Sequence, residues 1–274
     1  MNLRNIPITA LIGMTLTTGF VIAAVFAPWI APYSMSETVG DMWATSSLAH
    51  PMGTDNLGRD LWSRMLYGAR TTMMIASLAT LVAFTLGSVL GILAAVIGGW
   101  IDQLMSRGID LLMSIPTLIF ALVVLSVMPS TITILVLVMG ILDSTRVYRI
   151  ARAVAVDINV QDFVEAARLR GEGRLWIVFR EILPNALSPL VAELGLRFIF
   201  AVLFLSSLSF LGLGVQPPEA DWGSMVRENR QGIVFGVPAA LIPAAAIALL
   251  AISVNLLADW VLRRTTDLKG GHGG

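Results

Sequence analysis

The feature that most constrains this chain is a series of long apolar segments. A helix that crosses the hydrocarbon core of a bilayer, about 30 Å thick, needs about 20 largely apolar residues. By this measure the 274-residue sequence contains six candidate spans. We place them at about 8–30, 71–99, 109–128, 131–150, 186–213 and 233–262. The sequence therefore predicts an all-α integral membrane protein with six transmembrane helices. They form one domain, 1–264, and a flexible tail follows at 265–274.

Composition agrees with this class and excludes several others. Hydrophobic residues make up 56% of the chain and charged residues only 13%. The 18 basic and 18 acidic residues cancel, so the sequence offers no basic surface for nucleic acid. The absence of Cys excludes disulfides and thiolate chemistry. The two histidines, His50 and His272, are too few for a histidine-based metal site, and we predict no metal and no catalytic residue.

The distribution of basic residues predicts the orientation in the membrane. With the N-terminus inside, 12 basic residues fall in inner segments and five in outer loops. Because cytoplasmic loops of membrane proteins are enriched in Lys and Arg, both termini are predicted to be cytoplasmic. The loop 31–70 is then periplasmic, and the loop 151–185 is cytoplasmic.

The cytoplasmic loop begins with a short polar helix. From 161 to 170 the residues favour helix, and Asp162 and Glu165 fall in the first turn, where negative charge suits the helix dipole. Gly171 is predicted to end this helix, because glycine tolerates the left-handed conformation of a tight reversal. The result is a compact polar element between two apolar spans.

The rest of this loop is predicted to form a second helix. It covers about 174–183, with Leu183 on its apolar stripe, and Pro184 is expected to break it. In the first helix, Ala166 and Ala167 would let another surface approach closely. Helix physics alone gives equal weight to an ordinary amphipathic surface helix and to a site that a partner grips.

Charges inside a span are costly in a membrane and therefore informative. Glu193 and Arg197 stand four residues apart in the fifth span, so one helical face can pair them. One interpretation is an internal ion pair that fixes helix packing. The other is that one of the two lines a translocation path and contacts a polar or zwitterionic solute. Asp143, near the cytoplasmic end of the fourth span, is expected to snorkel or to bond between helices.

Three stretches resemble a known family. Glu165-Ala166-Ala167 with Gly171, and Leu183-Pro184 twelve residues later, is similar to the cytoplasmic coupling loop of permease subunits in binding-protein-dependent ABC importers. The stretches 50–60 and 209–223 are similar to the second, C-type permease of the dipeptide/oligopeptide/nickel family. The resemblance covers about 28–262. It departs from the family pattern at Glu181, where an isoleucine is usual.

The resemblance implies a fold and a division of labour. The fold is that of a type I ABC importer permease, in the bacterial inner membrane. The chain would pair with a homologous second permease to form a pore for peptides or similar small polar solutes. Two cytoplasmic ATPases would bind ATP and Mg, and an extracytoplasmic binding protein would deliver the substrate. The resemblance assigns the coupling to the ATPases to six residues: Glu165, Ala166, Ala167, Gly171, Leu183 and Pro184.

The sequence agrees with this division at one point, because it contains no Gly-x-x-x-x-Gly-Lys-[Ser/Thr] phosphate loop. We therefore predict a transporter subunit without its own ATPase site or cofactor. The alternative is a self-sufficient secondary transporter or channel. That class would need intramembrane ion sites and preferably an internal repeat, which the sequence does not show clearly.

The outer loop 31–70 is interpreted as a capped helix, with Asp55 as the N-cap. It either forms a structural plug at the periplasmic rim or contacts the binding protein or the partner permease. In the second interpretation the contact residues are Asp55, Arg59 and Asp60, with Trp222 from the segment 216–223. Trp222 is equally suited to the membrane–water interface.

Overall fold

The computed structural model describes residues 7–270, with side chains for 7–187, 189–191 and 193–263. Apart from two isolated β-bridges in the loop before α2, the regular structure in this part of the chain is helical. The α-helices are α1 Ile8–Ile30, α2 Leu61–Ile97, α3 Gly99–Ser114, α4 Thr117–Val127, α5 Ile132–Asn159, α6 Asp162–Leu169, α7 Arg174–Trp176, α8 Leu183–Phe210, α9 Trp222–Asn229 and α10 Leu241–Gly270. A π-helical segment, Ile177–Ile182, joins α7 to α8, and two 3-10 turns, Arg230–Phe235 and Pro238–Ala240, precede α10.

Four segments of the described chain are long and apolar enough to cross a membrane. They are Ile8–Ile30, Leu61–Ile97, Pro189–Phe210 and Pro238–Arg263. The helices α3 and α4 reach this measure only together, as a pair bent by 83°. The structure therefore shows four to five candidate spans. The fourth predicted span lies within α5, which is 28 residues long but carries several charged side chains.

The third predicted span, 109–128, is wrong as a single straight helix. It breaks between α3 and α4 at Pro116, a position where the sequence suggests a kink. Proline lacks the backbone N–H and disfavours helix at the preceding residue. Ile115 accordingly has extended backbone angles, φ −89° and ψ 129°.

The second predicted span begins ten residues too late, because α2 starts at Leu61. Asp60 caps this helix by accepting a hydrogen bond from the Ser63 backbone N–H at 2.8 Å. The prediction of Asp55 as the cap is therefore wrong. With 37 residues, α2 is about 55 Å long. It extends well beyond a hydrocarbon core of about 30 Å.

The prediction that Pro184 breaks a helix is also wrong. Pro184 lies in the first turn of α8, and the chain stays helical from Arg174 to Phe210. The wider π-helical turn before it explains the difference: the Leu183 N–H bonds to the Val178 carbonyl, five residues back. The missing N–H of Pro184 therefore falls where the helical hydrogen bonding is already shifted.

The most extensive helix contact joins α2 and α5. It is close because α2 presents small residues there. A Cβ atom built on Gly91 would lie 2.6 Å from the Tyr148 carbonyl oxygen, and one on Gly87 would lie 2.6 Å from the Ser144 carbonyl oxygen. This is the small-xxx-small pattern that lets helix backbones approach in membranes.

Two apolar clusters stabilise opposite ends of the bundle. The first includes Leu61 and Trp222 together with buried apolar residues of α2, α5 and α8. The second lies at the other end of α2 and packs α6 against α2, α5 and the π-helical segment. Residues 271–274, the end of the predicted tail, lie outside the described residues.

Candidate functional site

The short polar helix forms as α6, Asp162–Leu169. Asp162 and Glu165 lie in its first turn, as predicted. Gly171 ends it in the left-handed conformation, with φ +84°. Its N–H donates to the Arg168 carbonyl at 2.9 Å, and the N–H of the next residue donates to the Ala167 carbonyl at 3.2 Å. These two bonds are the pattern of a Schellman C-cap, so glycine is needed here for its backbone angles.

The two faces of α6 differ in what they contact. Val164 and Ala167 are fully buried in the inner apolar cluster. Glu165 and Ala166 are exposed. Both alanines were expected to let another surface approach. Ala167 instead packs inside this chain, and only Ala166 is exposed to a partner.

The chain around α6 also exposes large apolar side chains. These are Phe163, Leu169, Leu175 and Phe179, with Leu169 84% exposed. Glu181, the departure from the family pattern, faces Arg170 with 3.7 Å between carboxylate oxygen and guanidinium nitrogen. Leu183 is half-buried, whereas Pro184 is exposed. The loop thus presents an apolar surface with charges of both signs at one end of the molecule.

A second polar group lies between α5 and α8. A guanidinium nitrogen of Arg197 lies 2.7 Å from a Glu193 carboxylate oxygen, which confirms the predicted pairing on one helix face. Another nitrogen of Arg197 donates to Asp143 Oδ1 at 3.3 Å. Asp143 therefore makes an interhelical bond, one of the two roles expected for it.

A cavity of about 280 Å³ adjoins this group, between α2, α4, α5 and α8. Asp143 and Arg146 line it from α5, and Phe200 lines it from α8. The guanidinium carbons of Arg197 and Arg146 lie 4.9 Å and 5.8 Å from the Phe200 ring centroid. Sequence reasoning missed Arg146 in this role; its spacing of three residues from Asp143 was the available signal.

A third polar group holds the outer loop. Arg59 donates to Asp55 Oδ2 at 2.7 Å and to Glu228 Oε2 at 2.7 Å. Arg64 bonds to the same two carboxylates, at 2.8 Å from Glu228. Burial raises the pKa of Asp55, but Arg64 and the N–H groups of Arg59 and Leu57 outweigh it, so the pKa lies below its usual value.

All four residues that were expected to contact a partner at the periplasmic side are buried within the chain. Asp55 and Asp60 are 0% and 1% exposed, Arg59 is 7% exposed and Trp222 is 1% exposed. The Trp222 ring N–H donates to the Met65 carbonyl at 3.1 Å. The side chains of these four residues make their hydrogen bonds within the chain, for example from Ser63 to Asp60. The structural interpretation, a plug at the outer rim, fits the burial.

Beside Trp222, Asp221 caps α9 by accepting bonds from the N–H groups of Gly223 and Ser224 at 2.9 Å and 3.3 Å. Burial raises the pKa of this carboxyl above its usual value, although Ser224, Ser209 and Gly223 oppose the shift by hydrogen bonding.

Within the part of the chain that the structure describes, three or more His, Cys, Asp or Glu side chains do not come together in a metal-binding group.

Comparison with known proteins identifies the family. Residues 87–267 match the family model of the binding-protein-dependent transport system inner membrane component. The chain belongs to this family. Residues 9–51 of the permease also match the N-terminal transmembrane domain of oligopeptide transport permease C. The chain is thus a multi-pass inner membrane protein, the permease subunit of a binding-protein-dependent ABC importer.

Several curated relatives cover most of this permease. A Brucella suis biovar 1 protein, provisionally named a peptide transport system permease, is 38% identical over 90% of this chain and 84% of its own length. The dipeptide transport system permease protein DppC of Alkalihalophilus pseudofirmus is 32% identical over 95% and 86%. The di/tripeptide transport system permease protein DppC of Pseudomonas aeruginosa is 34% identical over 95% and 88%.

Proposed function

We propose that this chain forms half of the translocation pore of an importer for peptides or similarly small polar solutes. Its partner in the pore is a second, homologous permease, and an extracytoplasmic binding protein delivers the solute. Two separate ATPase subunits bind ATP and Mg and drive the cycle, because the sequence has no phosphate loop of its own. The names of three relatives, which specify peptides, dipeptides and di/tripeptides, support the substrate class.

The chain crosses the membrane six times in this proposal, with both termini in the cytoplasm. The bent pair α3 and α4 supplies one crossing and α5 another. Two features support the orientation. The arginines of α5 lie at the end of the bundle that carries α6, in agreement with the positive-inside rule. The buried group of Asp55, Arg59, Arg64 and Glu228 lies at the opposite end.

The observation that carries the proposal is the surface of α6. Large apolar side chains that are exposed together mark an interaction site on a soluble surface. Here Phe163 and Leu169 are exposed on the same short helix as the exposed Glu165 and Ala166, at the arginine-rich end. We therefore assign α6 as the coupling helix, which docks in a groove of an ATPase subunit.

The buried face of α6 provides the mechanical connection. Val164 and Ala167 lie in one apolar cluster with residues of α2, α5 and α8. Arg168 also donates to the Asn159 side chain at the end of α5, at 2.5 Å. A displacement of α6 by the ATPases is thereby transmitted as a rigid-body motion to helices that border the path. Glu193 and Arg197 lie on that border, in α8.

The experiment is co-purification of the complete importer after single substitutions in this chain. Glu165→Lys reverses a charge on the docking face, and we expect at least a tenfold loss of bound ATPase with normal membrane insertion. Glu37→Lys makes the same charge change in the exposed outer loop and should retain the ATPases. Normal ATPase retention by Glu165→Lys would contradict the assignment.

A second comparison uses the two glycines that follow α6. Gly171→Asp places a side chain at φ +84°, whereas Gly173→Asp places it at φ −74°, where it is unstrained. Only the first should weaken ATPase association. Solute uptake into vesicles by this chain without ATPases would reject the importer and support the secondary transporter.

A further inference from the structure

The cavity between α2, α4, α5 and α8 has the form of a small-solute site. Its volume, about 280 Å³, is near the lower end of the range of about 300–1,000 Å³ for ligand pockets. Two helices line it with the spacing of one helical face. These residues are Met139, Asp143 and Arg146 on α5 and Phe200, Phe204 and Ser207 on α8.

Arg146 supplies a charge that the protein itself does not neutralise by contact. It forms no ion pair with a side chain that the structure describes, and its recorded partner is the Phe200 ring, 5.8 Å away. Ionisable side chains at membrane depth face a bundle interior or a water-filled cavity and mark solute pathways. A partly buried guanidinium that lines a cavity is therefore available to an anionic group.

Asp143 supplies the opposite charge. Its Oδ1 accepts from Arg197, but its Oδ2 is buried and has no hydrogen-bond partner among the described residues. A buried carboxylate oxygen without a partner is costly, so it calls for a donor that is not part of the chain. Asp143 lines the cavity, and the terminal torsion of an aspartate is broad, so a donor in the cavity can reach its carboxylate.

We propose that Arg146 and Asp143 form a subsite for a small zwitterionic solute, in which Arg146 binds its carboxylate and Asp143 binds its ammonium group. This inference rests on the proposed function. Side chains three residues apart on a helix have Cβ atoms about 5–6 Å apart, and an extended dipeptide spans at most about 7 Å. The charges of the polar group already cancel, since it contains two acids and two arginines: Asp143, Glu193, Arg146 and Arg197. A zwitterionic solute adds no net charge to it.

Arg197 has a different role in this arrangement. Its guanidinium is already bound to Glu193 at 2.7 Å and to Asp143 at 3.3 Å. Arg197 therefore positions Asp143 from α8. Arg146 is then the cation that binds the carboxylate of the solute. Phe200, which contacts both guanidinium groups, separates the positioning arginine from the binding arginine.

The first test uses the complete importer in proteoliposomes, with L-alanyl-L-alanine as the probe. We expect Arg146→Gln to lower dipeptide import per ATP hydrolysed at least tenfold, while ATPase stimulation by the loaded binding protein remains. Arg146→Lys, which keeps the charge, should recover part of the import. Arg149→Gln is the matched control, because Arg149 lies one turn away, is exposed and pairs with Asp110 at 2.7 Å. Unchanged import per ATP in Arg146→Gln would overturn the subsite.

The second test does not depend on how Arg146→Gln folds. The chain has no Cys, so Ser207→Cys introduces a single thiol at the cavity. In the purified permease pair, excess L-alanyl-L-alanine should slow labelling by N-ethylmaleimide at least threefold, and its C-terminal amide should not. Ser46→Cys, in the exposed outer loop, should label equally in both. Equal labelling of Ser207→Cys with the two peptides would overturn the subsite.

The two proposals fail in different ways. A wild-type importer that takes up no dipeptide with ATP would refute the peptide assignment, and the subsite with it. The other outcome is that the wild-type importer takes up the dipeptide and the Arg146→Gln variant imports as much per ATP hydrolysed. That result would refute the subsite alone.

Discussion

Gly91→Ala should destabilise the permease by separating α2 from α5. The new Cβ would lie 2.6 Å from the Tyr148 carbonyl oxygen, 2.9 Å from the Arg152 backbone nitrogen and 3.0 Å from the Ala151 Cβ. These are mostly backbone atoms, so no side-chain rotation relieves the contact. Reaching an ordinary contact of 3.4 Å from the carbonyl oxygen requires α5 to move by about 0.8 Å.

The magnitude follows from two opposing contributions. Overpacking a close contact costs about 1–3 kcal/mol, and the upper end applies because backbone atoms must move. Replacing glycine by alanine in a helix returns about 1 kcal/mol. The net loss is therefore about 2 kcal/mol in the free energy of unfolding. At about 2–4 °C per kcal/mol for a domain of this size, the melting temperature should fall by about 4–8 °C.

The assay is thermal unfolding of the purified importer in detergent, followed by tryptophan fluorescence at one fixed scan rate. The matched control is Gly19→Ala in α1, because a Cβ built on Gly19 meets no described atom within 4 Å. This variant should melt at the wild-type temperature or slightly above it. If Gly91→Ala melts within 1 °C of Gly19→Ala, the close contact between α2 and α5 is not what stabilises the bundle.

Two further predictions concern the outer end of the molecule. Arg64→Gln removes one cation from the buried group that contains Asp55 and Glu228. Because uncompensated buried charge costs about 3–5 kcal/mol, Arg64→Gln should lower the melting temperature by at least about 6 °C. The exposed control Arg70→Gln should leave it unchanged. Similar melting temperatures for the two variants would contradict the argument. Asp221→Asn tests the raised pKa of the Asp221 carboxyl. A carboxyl whose native pKa is raised binds more protons in the folded state, so its contribution to stability falls as pH rises from about 4 through the native pKa. Asparagine is a good helix cap without this charge, although its one amide oxygen can accept only one of the two bonds. The variant should therefore gain on the wild type in melting temperature between pH 4 and pH 8, whatever its offset at pH 4, and a constant difference would refute the cause.

Local chemistry explains which elements were predictable. The helix α6 and its end at Gly171 follow from helix propensity and from the backbone freedom of glycine, both of which act within a few residues. The pairing of Glu193 with Arg197 follows from helical spacing in the same way. The break at Pro116 was also visible in the sequence.

A non-local contact explains one error, and a local change of helix type explains another. Asp55 was predicted as a helix cap, but it pairs with arginines that also bind Glu228, more than 160 residues further along the chain. Asp60 caps α2 instead, and the helix begins before its apolar run. Pro184 was predicted to end a helix, but the π-helical turn before it keeps the chain helical.

The sequence by itself determined an all-helical membrane protein, the position and end of α6, and the motifs of a permease family, because hydrophobic length, helix period and glycine geometry are properties of short stretches. Only the tertiary structure decided which charges from distant segments meet. The approach of α9 to the loop before α2 brings Asp55 and Glu228 to the same two arginines, and the packing of α5 against α8 places Asp143 and Arg146 at one cavity. A buried charge strongly destabilises the fold unless it has an ionic partner. Burial itself depends on packing between segments that are distant in the sequence.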